Sequence, residues 1–321
     1  MKGRVLLVTF VLSLPFWWAM NAFAEESGNF FYWHKVSNDS YLLSADLKQA
    51  ILEEELQEIR EQRKPRAEEI KIGARAAISI SLKGKREKVL FEKNSQEILP
   101  IASLTKLMTA LVVFNLKDYY DFEDKIVISE KAISQEGKSK FRPLTEGDIF
   151  SVKNLVYIML LESSNDAAYA LSEHVGEKAF VGMMNLKKED IGLGNTFFIN
   201  PTGLDPDNPR NPRNYSTARD IADLAKYILK NHPEIFEITS LRSFEVADSK
   251  GRTLYFIPEN TNELIDEFPQ IAGGKTGWTP SARGCLLVVM EESNQTYVNV
   301  VLGSEKRFEE MREIIRKING F

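Results

Sequence analysis

Strand-like segments stand at both ends of residues 74–321 with helix-like segments between them, and this order constrains the fold more than any other property of the chain. Ala76-Ala77-Ile78-Ser79-Ile80-Ser81-Leu82, Lys83-Gly84-Lys85 and Val89-Leu90-Phe91-Glu92 read as two strands joined by a tight turn. The apolar run Leu107 to Phe114 suits a buried helix. A second apolar helical stretch, Val152 to Leu171, is broken by the polar insert Glu162-Ser163-Ser164-Asn165-Asp166, and Ser216 to Leu229 resembles a capped helix. Strand patterns return at Phe244 to Val246, Thr253 to Ile257, Gly284 to Glu291 and Tyr297 to Leu302, before a last helix from Lys306 to Ile318. Strand, helix block, strand, helix is an α+β order, and no internal repeat is present.

With 321 residues, 43% of them hydrophobic, the chain has ample material for a core. Its formal net charge of -5 argues against a general affinity for nucleic acid. Residues 1–24 read as a signal peptide: Lys2 and Arg4, an apolar run from Val5 to Met20, then Ala22-Phe23-Ala24 before Glu25. Export to the periplasmic, extracytoplasmic or cell-wall face is therefore expected. Residues 25–70 form an extension in which Leu47, Ile51, Leu56 and Ile59 are spaced as on one amphipathic helix. Its apolar stripe could dock on its own domain, on a partner or at a membrane surface; peripheral membrane association and oligomeric state stay open. Residues 71–321 make up the third segment, which holds the strand and helix patterns and is expected to be the folded domain. The lone Cys285, in an apolar strand-like run, reads as a packing residue. His34, His174 and His232 lack the paired spacing of a zinc site, so no metal and no cofactor is expected.

Three polar patterns carry chemistry. Ser103 and Lys106, three residues apart at the start of an apolar helix, share one face, so the hydroxyl has a basic neighbour. For Lys106 to accept a proton its pKa must fall, which burial and a second cation such as Lys275 would both promote. Ser163 and Asn165 can both project into one cavity if the break at 162–166 is a turn between helices. Ser163 could then pass a proton between Lys106 and a leaving amine, and Asn165 suits binding a peptide bond. An ordinary loop with Asn165 or Asp166 as a helix cap is the alternative. Lys275-Thr276-Gly277 follows Gly273-Gly274, but Pro269 occupies the position where a P-loop needs glycine and no helix follows. On an edge strand, Lys275 and Thr276 can instead bind a carboxylate, and Gly277 lets substrate backbone come close. The proline-rich stretch Asp205 to Arg213 should be an extended surface loop.

With Phe198-Ile199-Asn200-Pro201-Thr202-Gly203-Leu204, Tyr215-Ser216-Thr217-Ala218, Asn260-Thr261-Asn262 and Val301-Leu302-Gly303-Ser304, these motifs make the chain resemble the D-alanyl-D-alanine carboxypeptidases. These are low-molecular-mass penicillin-binding proteins of the serine peptidase type, related to β-lactamases. The resemblance implies a β-lactamase/transpeptidase-like fold: an antiparallel sheet flanked by helices, a helical subdomain, and an active site between them. It implies that Ser103 is acylated by the penultimate D-alanine of a peptidoglycan stem peptide, that Lys106 is the base, and that the terminal D-alanine leaves. It also implies β-lactam antibiotics as inhibitors, and an oxyanion hole built from the backbone N–H groups of Ser103 and Trp278. Thr202 stands where the family usually has histidine, and Ala282-Arg283-Gly284-Cys285 replaces a more usual Ala-Gly-x-Cys. The second domain and C-terminal anchor of many relatives have no counterpart, so any membrane attachment is expected to come from the N-terminal part.

A D,D-endopeptidase that cuts crosslinks is the close alternative, because the same site can accept either leaving group. A class A β-lactamase fits less well: the region where it needs a glutamate reads Phe197-Phe198-Ile199-Asn200-Pro201. A weakly active stem-peptide-binding or partner-docking protein is the alternative outside enzymology.

Overall fold

The computed structural model describes residues 70–84, 86–135, 143–247 and 253–319. The signal peptide expected at residues 1–24 and the amphipathic helix expected over residues 44–69 lie outside the described residues. Residues 70–321 form one compact unit. Its strands are β1 (Ala76–Lys83), β2 (Arg86–Lys93), β3 (Leu99–Pro100), β4 (Lys125–Val127), β5 (Ile149–Ser151), β6 (Tyr215–Ser216), β7 (Phe244–Ala247), β8 (Thr253–Ile257), β9 (Ile271–Thr279), β10 (Arg283–Glu292) and β11 (Gln295–Ser304). Its helices are α1 (Thr105–Asn115), α2 (Glu130–Ile133), α3 (Val152–Leu161), α4 (Asn165–His174), α5 (Glu177–Ile191), α6 (Ala218–Asn231), α7 (Glu234–Thr239) and α8 (Arg307–Ile314), the last running into a π turn at Ile315–Asn319. Among the described residues no helix is long and apolar enough to cross a membrane.

The main sheet is antiparallel with strand order β2-β1-β11-β10-β9. The opening hairpin thus closes on the last strand, Ala77 opposite Val301, and β9 is left at an edge. Successive side chains of a strand point to opposite faces. In β10, Cys285, Leu287 and Val289 join Ile78, Ile80, Val298 and Val300 in the core shared with the helices. Leu286, Val288 and Met290 join Ala77 and Val301 in a second core closed by Met311, Ile314 and Ile315. Both faces are covered, which is why β10 reads as one continuous apolar run. Each fully buried Val or Leu contributes roughly 1.5–3 kcal/mol.

The larger core continues into α1 and α3 through Leu107, Met108, Leu111, Leu155, Ile158 and Met159. Helix α1 is buried along its whole length except for its last residue, the behaviour of a helix apolar on every side. The expected break in the second helical stretch separates α3 from α4. Cys285 is fully buried, as its packing role requires.

Candidate active site

Pro100 ends β3, and a short 3-10 turn, Ala102–Leu104, leads into α1. Ala102 sits at φ 46, a left-handed conformation that costs a non-glycine residue of order 1–3 kcal/mol. Two backbone segments crowd this turn. A Cβ on Gly203, itself at φ +87, would lie 2.0 Å from Ala102 O, and one on Gly277 would lie 3.0 Å from Ser103 N. Gly277 thus makes room for the chain's own Ser103 turn, a reason beyond the expected approach of substrate. Ser103 is half-buried, whereas Lys106 is fully buried one turn further on.

Lys106 Nζ lies 2.9 Å from Ser103 Oγ and donates to Asn165 Oδ1 and to Thr202 O, each at 2.6 Å. Burial drives its pKa well below the ordinary lysine value, and the neighbouring Lys275 cation pushes it further down against the opposing pull of Asp166. The departure from the family at Thr202 touches the side chain alone, since the contact to Lys106 comes from a main-chain carbonyl.

Ser164 is the N-cap of α4, its side-chain oxygen accepting from Ala167 N at 3.2 Å. The expected cap candidates, Asn165 and Asp166, are therefore not needed at that position, and Asn165 is turned toward Lys106. Ser163 occupies the turn between α3 and α4 at φ 65 and is half-buried at the cleft. The turn is held from outside by Thr261 N, which donates to Leu161 O at 3.2 Å, and by Tyr255 OH, which donates to Glu162 Oε1 at 2.6 Å.

Strand β9 carries the third motif at the edge expected for it. Lys275 is buried, its Nζ donating to Thr276 O at 3.1 Å; burial first, and the Arg307 guanidinium second, bring its pKa down to about 7. Thr276 Oγ1 donates to Thr261 Oγ1 at 2.8 Å. Arg307, at the start of α8, donates from one terminal nitrogen to Gly277 O at 3.4 Å, while its Nε is buried without a hydrogen-bond partner. Ser103, Ser163, Asn165, Thr276, Gly277, Trp278 and Arg307 line one cleft of about 1210 Å³; Lys106 and Lys275 stand behind its wall. Trp278 is 57% exposed there. Asp205 to Asp207 of the proline-rich loop line the cleft too, and residues 207–212 are solvent-exposed.

All eight residues singled out from the sequence are brought to this one place. Sequence reasoning missed the roles of Thr202, Thr261 and Arg307. Two of them lie in segments that did stand out, 198–204 and 260–262, but Arg307 opens a charged helix and carries no local signal.

A family model for D-alanyl-D-alanine carboxypeptidases, peptidase S11, matches residues 61–306. The chain belongs to this family. Among peptidase S11 relatives, D-alanyl-D-alanine carboxypeptidase DacF of Bacillus subtilis is 34% identical over 236 residues, which cover 72% of this chain and 58% of DacF. A D-alanyl-D-alanine endopeptidase of Escherichia coli is 34% identical over 220 residues, 67% of each chain. The match thus spans little more than half the length of DacF. Penicillin-binding protein D2 of Listeria monocytogenes in its cefotaxime-bound form superposes with TM-score 0.67 at 29% identity, covering 77% of this chain and 97% of that one. D-alanyl-D-alanine carboxypeptidase DacD of Francisella tularensis gives TM-score 0.69 at 27% identity, covering 78% and 71%. The α+β fold expected from the sequence is the fold of these peptidase S11 relatives.

Proposed function

We propose that the chain is an exported serine D,D-carboxypeptidase that removes the terminal D-alanine from peptidoglycan stem peptides and is acylated by β-lactams. The observation that carries this reading is the buried Lys106 amine, 2.9 Å from Ser103 Oγ with its proton affinity lowered by burial and by Lys275. A serine hydroxyl needs such a base at neutral pH. Ser103 Oγ bonds to the carbonyl carbon of the penultimate D-alanine as Lys106 takes the hydroxyl proton. The C–N bond then breaks, and the proton returns through Ser163 to the departing D-alanine. Water, deprotonated by the same base, hydrolyses the ester and frees Ser103. The Ser103 and Trp278 N–H groups serve the oxyanion, a donation whose loss typically costs on the order of a hundred-fold or more in rate. In a β-lactam the leaving nitrogen stays tethered through the opened ring, so the acyl-enzyme persists.

The substrate carboxylate is assigned to Thr276 and Arg307. Lys275 is buried behind the cleft wall and half neutral near pH 7, whereas the half-buried Arg307 guanidinium lines the cleft. Lys275 acts from beneath, on Lys106. The pattern of residues 1–24 supports export and an extracytoplasmic site of action. The endopeptidase reading has its own support, since the Escherichia coli relative at 34% identity bears that name. Incubation with a pentapeptide stem and with a crosslinked dimer separates the two. Free D-alanine from the first supports the carboxypeptidase; cleavage of the dimer alone supports the endopeptidase; and activity surviving in Ser103→Ala overturns both.

A further inference from the structure

A lowered proton affinity does not by itself make Lys106 an effective base, because its lone pair must also point at Ser103. Two carbonyl oxygens, Asn165 Oδ1 and Thr202 O, take two of its N–H bonds at 2.6 Å. The remaining tetrahedral direction falls to Ser103 Oγ. Asn165 belongs to α4, a packed helix, but Thr202 lies in the turn of residues 199–204, where no helix or strand hydrogen bonds fix the carbonyl.

Two side-chain amides do that work. Asn214 is 2% exposed, and its Oδ1 accepts from Ile199 N at 2.7 Å and Asn200 N at 3.2 Å. Its Nδ2 shares two hydrogens among Thr105 Oγ1 at 2.9 Å, Asn200 O at 3.0 Å and Asn200 Oδ1 at 3.2 Å. Asn200 Oδ1 in turn accepts from Gly203 N at 2.7 Å and Thr202 N at 3.2 Å. The network therefore starts on Thr105, next to the base, and ends on the peptide units that present Thr202 O and press Gly203 against Ala102.

We propose that Asn214, acting through Asn200, is a positioning residue for acylation: it holds the Thr202 carbonyl against Lys106 so that the amine offers its lone pair to Ser103. This rests on the roles given above to Ser103 and Lys106. A misplacement of about 1 Å in such a geometry can cost on the order of a hundred-fold in rate.

The test uses the full chain with Asn214→Ala and Asn214→Asp, together with Thr105→Val, which removes only the tie to α1. A fluorescent penicillin counts acylable sites and gives the acylation rate per site; KM and kcat for a D-Ala-D-Ala peptide, and the melting temperature, are measured alongside. Asn214→Ala is expected to acylate roughly ten- to a hundred-fold more slowly per site with KM changed by less than about threefold. Asn214→Asp, which keeps the acceptor for Ile199 N and Asn200 N, should recover part of the rate, and Thr105→Val should show a smaller loss of the same kind. A per-site rate equal to wild type in both Asn214→Ala and Thr105→Val, whatever their melting temperatures, overturns the proposal. A wild-type chain that forms no adduct overturns it together with the reading of Ser103, so the two failures are told apart.

Discussion

The sequence points to Lys275 and Thr276 for the carboxylate; in the proposed function Arg307 takes the place of Lys275, and each of the two cations has a measurable consequence. Buried ammonium groups lose water without full compensation, which is why Lys275 titrates near 7 rather than at 10.5. Below about pH 7 both folded and unfolded chains carry this proton and the burial penalty is fully present. Between about 7 and 10.5 the unfolded chain holds more protons, so stability rises with pH at about 1.4 kcal/mol per pH unit per site, and Lys106 adds in the same direction. Urea unfolding at successive pH values should show that slope, and Lys275→Met should flatten it; an unchanged slope would mean that Lys275 keeps its charge in the folded protein. Burial lowers the proton affinity of the Arg307 guanidinium from its ordinary value, but an arginine side chain keeps its charge at the neutral pH of the assay. Arg307→Met is expected to raise KM for a carboxylate-terminated peptide about tenfold or more, the loss of a hydrogen bond to a charged group, with a smaller effect on a substrate whose carboxylate is blocked. Equal losses on both substrates would remove Arg307 from carboxylate binding. Ser103 and Lys106 were legible in the sequence because their relation is local, three residues on one helical face. Thr202 was not, because what it offers is a main-chain carbonyl that any residue would supply.

At the level of elements, the site depends on one edge strand lying hard against one turn. Strand β9 approaches Ser103 at Gly277, where an added Cβ would meet Ser103 N at 3.0 Å, Ala102 Cβ at 3.1 Å and Ile101 O at 3.2 Å. Gly277→Ala should push β9 and the Ser103 turn apart. Penicillin acylation is expected to fall by about tenfold or more with only a modest loss of melting temperature, since most of β9 stays paired with β10. Acylation at the wild-type rate would show that the contact is slack. The sequence marked these pieces well where the signal was local: the hairpin of β1 and β2, the polar break between α3 and α4, the long apolar strands. It left α5 unread: its buried residues are Phe180, Met184 and Lys188, but the half-buried Val181 and Met183 and the exposed Leu186 blur the stripe and Gly182 interrupts it. Strands β4 and β5 were also unread, being three residues each and paired across a long stretch of sequence.

For the whole molecule, the sheet explains how motifs far apart in sequence come together. The chain's first and last long strands pair at the centre, so β9 is left at the edge facing the helical body that carries Ser103 and Ser163. The cleft follows from that topology, and the three motifs are its two sides. That the chain belongs to peptidase S11 accounts for the shared plan; the burial of Lys106, the cleft-lining Arg307 and the Asn200–Asn214 network are features of this chain's own residues. If Ser103 is a nucleophile activated by Lys106, the adduct with penicillin must sit on that serine. Intact-mass analysis of the chain after mixing with penicillin, followed by peptide mapping of the adduct, decides this. One penicilloyl group per chain is expected, carried on Ser103, lost in Ser103→Ala and formed far more slowly in Lys106→Met. An unmodified chain, or an adduct that persists in Ser103→Ala, would contradict it.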